Sequence, residues 1–250
     1  MKCLIAIVFL VGICHVRTED VFLPDYIQPC NLKEEEFTNC LKQQIEDSLP
    51  YFSKGIPELG VPSVDPVNLD DITIDGNGLK LKFNKAQLHG LSQTMLTKLK
   101  VDIGQEDERF NLGIIANLSL TAKYNADGKI LILPIKGDGD AVITCKNIEV
   151  EINSKLSHIK SSKGVHFKLV TPNYKYDIQS TTFEFENLFN GNKQLADATL
   201  QFANENWRQL MDDLAPPVVK QIVKTIVKTI NKFFSKVTIN RIVNGYKQTS

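Results

Sequence analysis

None of the short motifs that mark the common catalytic sites occurs in this sequence. It has no Gly-x-Ser-x-Gly elbow, no His-Glu-x-x-His zinc motif, no phosphate-binding glycine-rich loop and no Cys-x-x-Cys pair. Its histidines, His15, His89, His158 and His166, are scattered without the spacing of metal ligands. The sequence therefore favours a protein that is not an enzyme and that uses neither a metal nor a cofactor.

An excess of charge of either sign is also absent. The 250 residues include 29 lysines and arginines and 29 aspartates and glutamates, so the formal net charge is zero. Nucleic-acid-binding proteins usually carry a marked basic excess, and we therefore expect no nucleic-acid partner. The aspartates of the segment KGDGD, residues 136–140, lack the spacing of a calcium-binding loop, and we interpret that segment as a turn.

Long hydrophobic runs are missing after the first residues. Lys2 precedes the apolar run LIAIVFLVGI, and small residues suited to cleavage follow it. This pattern predicts a secretory signal peptide over residues 1–14, with cleavage between about residues 14 and 18. The remaining chain is expected to be secreted and extracellular, because no later stretch has the roughly 18 apolar residues of a membrane span. Length alone allows one or two domains, and mixed folds of this size are often single domains, so we expect one domain over residues 19–250.

Cysteine is scarce for a secreted chain. Cys3 and Cys14 lie in or at the end of the predicted signal peptide, which leaves Cys30, Cys40 and Cys145. In an oxidising compartment Cys30 and Cys40 can close a short loop. Cys145 then remains, and we interpret it as a small buried hydrophobic residue. A reactive thiol is the alternative, but no cluster of positive charge surrounds it in the sequence.

The hydrophobic periodicity changes twice along the chain. Asn31 with Glu34 gives a helix-start signal, and apolar residues at every fourth position then predict a helix that ends near Pro50. A proline-rich connector follows. From about residue 70 to 186 the period is two, which predicts an antiparallel sheet with turns at Asp127-Gly128 and Lys163-Gly164.

The helical period returns from about residue 192. One helix is predicted up to Leu214, and a second begins at Pro216-Pro217 with the segment PPVVKQIVKTIVKTINKFFSKV. In this second helix lysine recurs every fourth residue, while the apolar residues fill an arc of about 140° on the other side. Such a helix most often packs on a core, although docking on a membrane or on a partner fits the same pattern.

Several segments together resemble the insect takeout and juvenile hormone-binding proteins. They are LPDYIQPCNLKEEEFTNCLKQQI and GIPELGVPSVDP near the N-terminus, AQLHGLS and YNADGKILILPIKGDGDA in the middle, and FENLFNGNKQLADATLQFANENWRQL near the end. The resemblance covers nearly all of the chain after residue 18. Cys145 has no partner for the second disulfide of the hormone carriers, so the chain is more similar to the takeout branch.

The resemblance implies an α+β fold in which a highly curved antiparallel sheet wraps a long C-terminal α-helix, with a further helix at the N-terminus. It implies a disulfide between Cys30 and Cys40. It also implies a secreted, monomeric carrier that binds a hydrophobic small molecule, such as an isoprenoid or fatty compound, in an elongated apolar cavity. Membrane or receptor contact would be transient. The alternative is a secreted lipid-surface or membrane-active protein that uses the basic amphipathic helix.

Candidate ligand-binding residues follow from the inward strand positions and the apolar helix arc of such a fold. Taken alone, a residue of this kind is more often plain core than the wall of a pocket. Tyr124, Tyr176 and Trp207 combine an apolar ring with a polar atom that could orient an oxygen of the ligand. The candidates are Phe83, Val101, Leu112, Ile114, Tyr124, Leu133, Phe167, Tyr176, Phe183, Phe185, Trp207, Met211, Leu214, Val223 and Ile226. Asn117-Leu118-Ser119 is a glycosylation sequon within a predicted strand.

Overall fold

The computed structural model describes residues 22–76, 78–104, 106–170 and 172–247. The predicted signal peptide lies outside the described residues. The helices are α1 (Phe37–Phe52), α2 (Lys193–Glu205), α3 (Trp207–Phe234) and α4 (Ile239–Ile242). The strands are β1 (Cys30–Asn31), β2 (Val67–Asn68), β3 (Ile72–Gly76), β4 (Leu79–His89), β5 (Met95–Asp102), β6 (Arg109–Ile130), β7 (Leu133–Ser161), β8 (Gly164–Leu169), β9 (Asn173–Phe185) and β10 (Val243–Asn244).

The large sheet is built on the hairpin of β6 and β7, which contain 22 and 29 residues. These two strands pair antiparallel from Arg109 opposite Lys155 to Ile130 opposite Leu133. On β6, β4 pairs with the half near the turn and β5 with the other half, while on β7 the strand β9 pairs with the middle and β8 with the end. β2 and β3 pair with β4. Because paired strands twist with one hand, a hairpin of this length curls the sheet. The predicted α+β fold with a curled antiparallel sheet is confirmed.

The turn of this hairpin lies four residues beyond the predicted position, Asp127-Gly128. β6 continues through Asp127 and Gly128, which face Lys136 and Ile135, and the chain reverses at Leu131 and Ile132. A side chain at Gly128 would bring its Cβ to 2.0 Å from the Gly78 carbonyl oxygen. The glycine therefore permits close contact with the residue before β4, and it does not make the corner. The segment 136–140, predicted as a turn, is part of β7.

The N-terminal helix also begins later than predicted. Asn31 and Glu34 do interact, since Asn31 Nδ2 donates to Glu34 Oε1 over 3.1 Å, but this pair stabilises a turn that precedes α1. The predicted disulfide between Cys30 and Cys40 is confirmed, with 5.9 Å between the two Cα atoms. It links β1 to the first turn of α1. Since β1 pairs with β10, the bridge also ties both ends of the described chain together.

The break between α2 and α3 falls at Asn206, whereas the sequence predicted it at the double proline. Asn206 has a non-helical backbone with φ −108° and ψ 25°, and α3 continues through Pro216 and Pro217. Two prolines in sequence leave the carbonyls one turn earlier, at Asp212 and Asp213, without helical partners. All four residues are exposed, so water can hydrate those carbonyls and the helix tolerates the prolines.

The concave face of the sheet receives the apolar side of α3. Every lysine of the repeat, Lys220, Lys224, Lys228, Lys232 and Lys236, is exposed. Val218 and Ile222, on the opposite side of the helix, pack against the largest cluster of buried residues, which includes Leu81, Phe83 and Leu120. The amphipathic pattern of this helix is therefore explained by packing within the protein. No described helix combines the length and the mean hydropathy that crossing a membrane requires.

A polar cluster joins the C-terminal segment to the sheet. The Glu108 side chain is 3% exposed, and its Oε1 accepts the Gly104 backbone N–H over 2.8 Å. His158 Nε2 lies 2.9 Å from both Glu108 Oε2 and the Tyr246 hydroxyl. Burial and the Glu108 carboxylate raise the pKa of Tyr246. The cluster satisfies a buried carboxylate and holds the residues after α4 against β7.

Stability should fall at alkaline pH partly because of Tyr246. In the unfolded chain this phenol loses its proton near pH 10, whereas the folded protein keeps it, so the free energy of unfolding decreases as pH rises above about 10. Tyr246→Phe should cost about 1 kcal/mol at pH 7 and should make the alkaline decrease shallower. Urea unfolding from pH 7 to 11 measures both effects. If the free energy of unfolding falls as steeply with pH in the variant as in wild type, Tyr246 has the same pKa in the folded and unfolded states.

Candidate functional site

An elongated cavity lies between the concave face of the sheet and the helices α2 and α3. Its volume is about 200 Å³. The sheet contributes residues of β3, β4, β6, β7 and β9, and the other wall comes from α2 and α3. The lining is almost wholly aliphatic and aromatic. Cys145, Tyr176, Thr199 and Met211 are its only residues with a side-chain oxygen or sulfur among the described positions.

The apolar character of this wall follows from two periodicities. Side chains of a strand alternate between its two faces, so every second residue of a strand points to the concave side. In β4, Leu81 and Phe83 line the cavity while Lys80 and Lys82 are exposed. In α3, residues three and four apart share one face. The wall of the cavity is therefore apolar because it consists of the inward faces of the strands and of the helices.

Nine of the fifteen predicted residues lie in the wall of this cavity. They come from the three strands β4, β6 and β9 and from α3, and none of them carries a charge. These residues are Phe83, Ile114, Tyr176, Phe183, Phe185, Met211, Leu214, Val223 and Ile226. Their role in binding a ligand stays a prediction.

The other six predicted residues do not line the cavity. They are Val101, Leu112, Tyr124, Leu133, Phe167 and Trp207. Leu112 lies on the same face of β6 as Ile114 and opposite Ile152, which both line the cavity, but it is not itself part of the wall. Leu133 is beside the hairpin turn, opposite Ile130, and Val101 pairs with Phe110 near the far end of β5. These strands are longer than the cavity, and alternation alone does not show where along a strand the cavity ends.

Two of the six are aromatic residues of the core. The Tyr124 ring packs edge-on against Phe185 at 4.7 Å, and its hydroxyl donates to the Glu186 carbonyl over 2.6 Å. Burial, followed by the charge of Asp138, raises the pKa of Tyr124 to about 12. This hydroxyl is committed to the backbone and is not available for a ligand. Phe167 packs against Phe234 and Tyr246 in a separate cluster near the C-terminal segment.

Trp207 occupies an intermediate position. It borders a smaller pocket of about 40 Å³ next to the cavity, and its ring stacks under Arg208 with 4.8 Å between the guanidinium carbon and the ring centroid. Because Trp207 is the first residue of α3, the break at Asn206 determines which way its ring points. The sequence analysis placed Trp207 inside one continuous helix, so it did not anticipate this orientation of the ring.

Sequence reasoning missed the contribution of α2 and much of β7. From α2, Thr199, Leu200 and Ala203 line the cavity. In β7 the lining residues are Ile135, Ile143, Cys145, Ile148, Val150 and Ile152. Up to Cys145 the residues of β7 that face the cavity have odd numbers, and from Ile148 onward they have even numbers. The change falls at Asn147, whose φ is +46°. The sequence VITCKNIEVEI does show this shift of one residue, which is typical of a β-bulge.

Cys145 lies in the cavity wall as a free thiol. The Cys145 Sγ is 3.6 Å from the Thr181 hydroxyl oxygen, and Cys145 as a whole is 8% exposed. Burial raises the pKa of the Cys145 thiol, an effect only partly offset by the contact with Thr181. The thiolate is the reactive form of cysteine, so these surroundings make the group inert. The structure therefore agrees with the buried-hydrophobic interpretation of this residue.

Two other candidate features have simpler descriptions. The Asn117 side chain is exposed beside the bulge, where its Oδ1 accepts the Asn147 backbone N–H over 2.8 Å. Its glycosylation stays a prediction. Among the residues that the structure describes, no group of three or more His, Cys, Asp or Glu side chains is arranged to hold a metal ion.

Comparison with known proteins identifies the family. The model of the haemolymph juvenile hormone binding protein family matches residues 4–244. The chain belongs to this family. The circadian clock-controlled protein daywake of Drosophila melanogaster is 31% identical over 217 residues, which is 82% of each chain. The resemblance seen in the sequence segments is thereby confirmed.

A solved member of the haemolymph juvenile hormone binding protein family has the same architecture. The crystal structure of Epiphyas postvittana Takeout 1 is 32% identical, with a TM-score of 0.80, and the match covers 87% of this chain and 100% of that chain. A Schistocerca gregaria protein named as a candidate beta-carotene-binding protein is 21% identical over 221 residues, 88% of each chain. The family relationship therefore extends over the sheet and the helices that enclose the cavity.

A charge on the inner side of α3 should destabilise the protein far more than a change on its outer side. Ile226 lines the cavity, and Ile226→Lys places an ammonium group in apolar surroundings. The free energy of unfolding should therefore fall by about 3 kcal/mol or more. Lys228→Ala, on the exposed side, should change the free energy of unfolding by less than about 0.5 kcal/mol. Urea unfolding of both variants measures this. Equal stabilities would contradict the assigned orientation of α3.

The accessibility of Cys145 can be measured directly. In protein that lacks residues 1–18 and has not been reduced, a thiol reagent should label no cysteine in the native state and one equivalent in guanidinium chloride. The reason is that Cys145 is buried and Cys30 and Cys40 are bridged. Rapid labelling before denaturation would disprove the inert environment. Three equivalents after denaturation would disprove the disulfide.

Proposed function

We propose that this protein is an extracellular, monomeric carrier that binds one hydrophobic small molecule, of the isoprenoid or fatty class, in the cavity beneath α3. The observation that carries this proposal is the elongated apolar cavity inside a member of the juvenile hormone binding protein family. A cavity of this kind is what a small-molecule site needs, because burial of the apolar surface of a ligand supplies most of its binding free energy.

The composition of the wall supports a ligand that is mostly hydrocarbon. No charged residue lines the cavity among the described positions. A charged or strongly polar group inside it would lose its hydration without receiving hydrogen bonds in return, and that loss is costly. The name of the Schistocerca gregaria relative, which refers to a long isoprenoid hydrocarbon, is consistent with this class of ligand.

An extracellular location is supported by cysteine chemistry. The Cys30–Cys40 disulfide persists in oxidising compartments and is uncommon in the cytosol. The apolar run after Lys2 has the composition of a secretory signal peptide. The name of the family refers to the haemolymph, an extracellular fluid. We therefore propose that the protein collects and releases its ligand outside cells.

The membrane-active alternative has less support. It requires the apolar side of α3 to leave the protein and enter a lipid surface. In the structure that side forms the wall of the cavity and packs on the sheet, while only the lysine side is exposed. We also propose that the ligand is carried without chemical change, since the relatives whose names state an activity are named as binding proteins.

The carrier function can be tested with all-trans retinol, a fluorescent isoprenoid of twenty carbons. Val223 lines the cavity, and Val223→Trp should fill part of it and weaken retinol binding at least about tenfold, equivalent to 1.4 kcal/mol. Val170→Trp makes the same change at a site that is 43% exposed and should leave the affinity within about twofold. Fluorescence titration gives the two dissociation constants.

Each outcome of this comparison is informative. Native mass spectrometry of the protein purified from its natural source should also detect a bound hydrophobic molecule in 1:1 stoichiometry. If retinol binds equally well to wild type and Val223→Trp, the cavity is not the binding site. If wild type binds neither retinol nor any extractable lipid, the carrier proposal itself is wrong.

A further inference from the structure

The smaller pocket beside Trp207 is the polar neighbour of the apolar cavity. Three residues, Tyr176, Ile178 and Met211, belong to the walls of both spaces. These three side chains are therefore the partition between them. Met211 is flexible and unbranched, and a thioether adapts its shape more readily than a branched or aromatic side chain does. A ligand that fills the cavity can thus extend one end past Met211 into the smaller pocket.

The chemistry of the smaller pocket differs from that of the cavity. Besides the shared residues it is lined by Asp177, Trp207, Arg208 and Asp212. Three of its seven residues are therefore acidic or basic. Its volume of about 40 Å³ suffices for a water molecule or for a hydroxyl, carbonyl or ester oxygen. It does not suffice for another length of hydrocarbon chain.

The charges in this pocket do not favour an anion. Arg208 is already engaged, since its Nη1 donates to Asp177 Oδ1 over 3.1 Å and its Nη2 donates to the Ile178 carbonyl over 2.8 Å. Counting Asp212 as well, the pocket has one positive and two negative side chains. A carboxylate entering it would meet a net negative charge and no free cation from the residues that line it.

The Tyr176 hydroxyl is the group best placed to contact a neutral oxygen. Tyr176 lies on β9 with its ring in the wall of the cavity, and no hydrogen-bond partner of its hydroxyl is found among the described residues. Burial, followed by the neighbouring Tyr174 and Asp212, raises the pKa of Tyr176, so the hydroxyl keeps its proton at neutral pH. A phenol hydroxyl can donate to a carbonyl or ester oxygen and can accept from an alcohol.

We propose that the carrier binds a neutral ligand whose single polar end, an alcohol, carbonyl or ester oxygen, sits in the pocket formed by Tyr176, Trp207, Arg208 and Asp212, with its hydrocarbon part in the cavity. The Tyr176 hydroxyl is the hydrogen-bond partner of that oxygen. Free fatty-acid anions of the same length are discriminated against. This inference rests on the proposed carrier function and adds the orientation and the chemical class of the ligand.

The orientation is testable because the chain contains one tryptophan, and Trp207 lines the proposed pocket. Bromine quenches tryptophan fluorescence only at close range. We expect 2-bromohexadecan-1-ol, with its bromine beside the hydroxyl, to quench Trp207 at least three times as strongly at saturation as 16-bromohexadecan-1-ol. Equal quenching, or stronger quenching by the far-end bromine, would overturn the proposed orientation even if both alcohols bind.

The chemical class is testable with three ligands that share one polyene: retinol, retinal and retinoic acid. At pH 8 and low salt, retinol and retinal should bind at least tenfold more tightly than retinoate. Tyr176→Phe should weaken retinol and retinal about fivefold, the value of one net hydrogen bond between neutral groups, and should leave retinoate unchanged. Retinoate binding as tightly as retinol to wild type would overturn the proposed selectivity.

A charge-neutralising pair of variants supplies the matched control. Asp212→Asn removes one negative charge from the pocket and should strengthen retinoate binding about threefold, an effect that 0.5 M salt should abolish. Asp213→Asn makes the same change at the next residue, which is exposed and does not line the pocket, and should leave retinoate binding as in wild type. Equal effects of both variants would show that only the general charge of the protein matters.

Failure of this inference differs from failure of the carrier proposal. If the alcohols and retinol bind but the quenching pattern, the ligand ranking and Tyr176→Phe all disagree with expectation, the carrier proposal stands and the polar-end pocket is wrong. If no alcohol or retinoid binds at all, both proposals fall together.

Discussion

The pairing of β6 with β7 is the interaction on which the rest of the structure depends. It joins two strands of more than twenty residues each, and β4, β5, β8 and β9 all pair with this hairpin. A right-handed twist accumulated over such a length bends the sheet around an axis, and the concave face then needs an apolar partner. α2 and α3 supply that partner, and their apolar sides do not fill the whole concave face. The cavity is the space that remains between these helices and the sheet.

Two regions of the curled sheet are covered by different means. Near the C-terminal segment, the cluster of Glu108, His158 and Tyr246 and the Cys30–Cys40 bridge tie α1, β7 and β10 together. At the junction of α2 and α3, the helix break at Asn206 leaves a small polar pocket next to the cavity. There Trp207 and Met211 pack over the middle of β7 and β9, so apolar contacts cover this region, whereas a covalent bridge and buried polar contacts cover the first.

Sequence patterns anticipated those parts of the molecule that depend on local periodicity. The alternation of Leu79, Leu81 and Phe83 predicted a strand with one buried face, and the lysine repeat of α3 predicted its exposed side. Features that depend on tertiary contact were less accessible. Gly128 has the composition of a turn, but its role is close contact with Gly78, and the double proline marks an exposed stretch inside a helix. Three of the missed site residues of β7, Ile148, Val150 and Ile152, follow a bulge at Asn147 that shifts the inward register by one residue.

The apolar lining of the cavity has a consequence for the lifetime of the protein. A space lined almost wholly by hydrocarbon offers few hydrogen-bonding partners and leaves its walls without full packing contacts on one side when no cargo is bound. A cargo that binds only the folded state adds about 2.7 kcal/mol of stability when its concentration is one hundred times the dissociation constant. Proteases that digest transiently unfolded chains would then remove empty molecules faster than loaded ones. If the protein is the carrier proposed above, its abundance would thereby follow the supply of its cargo without any dedicated sensor.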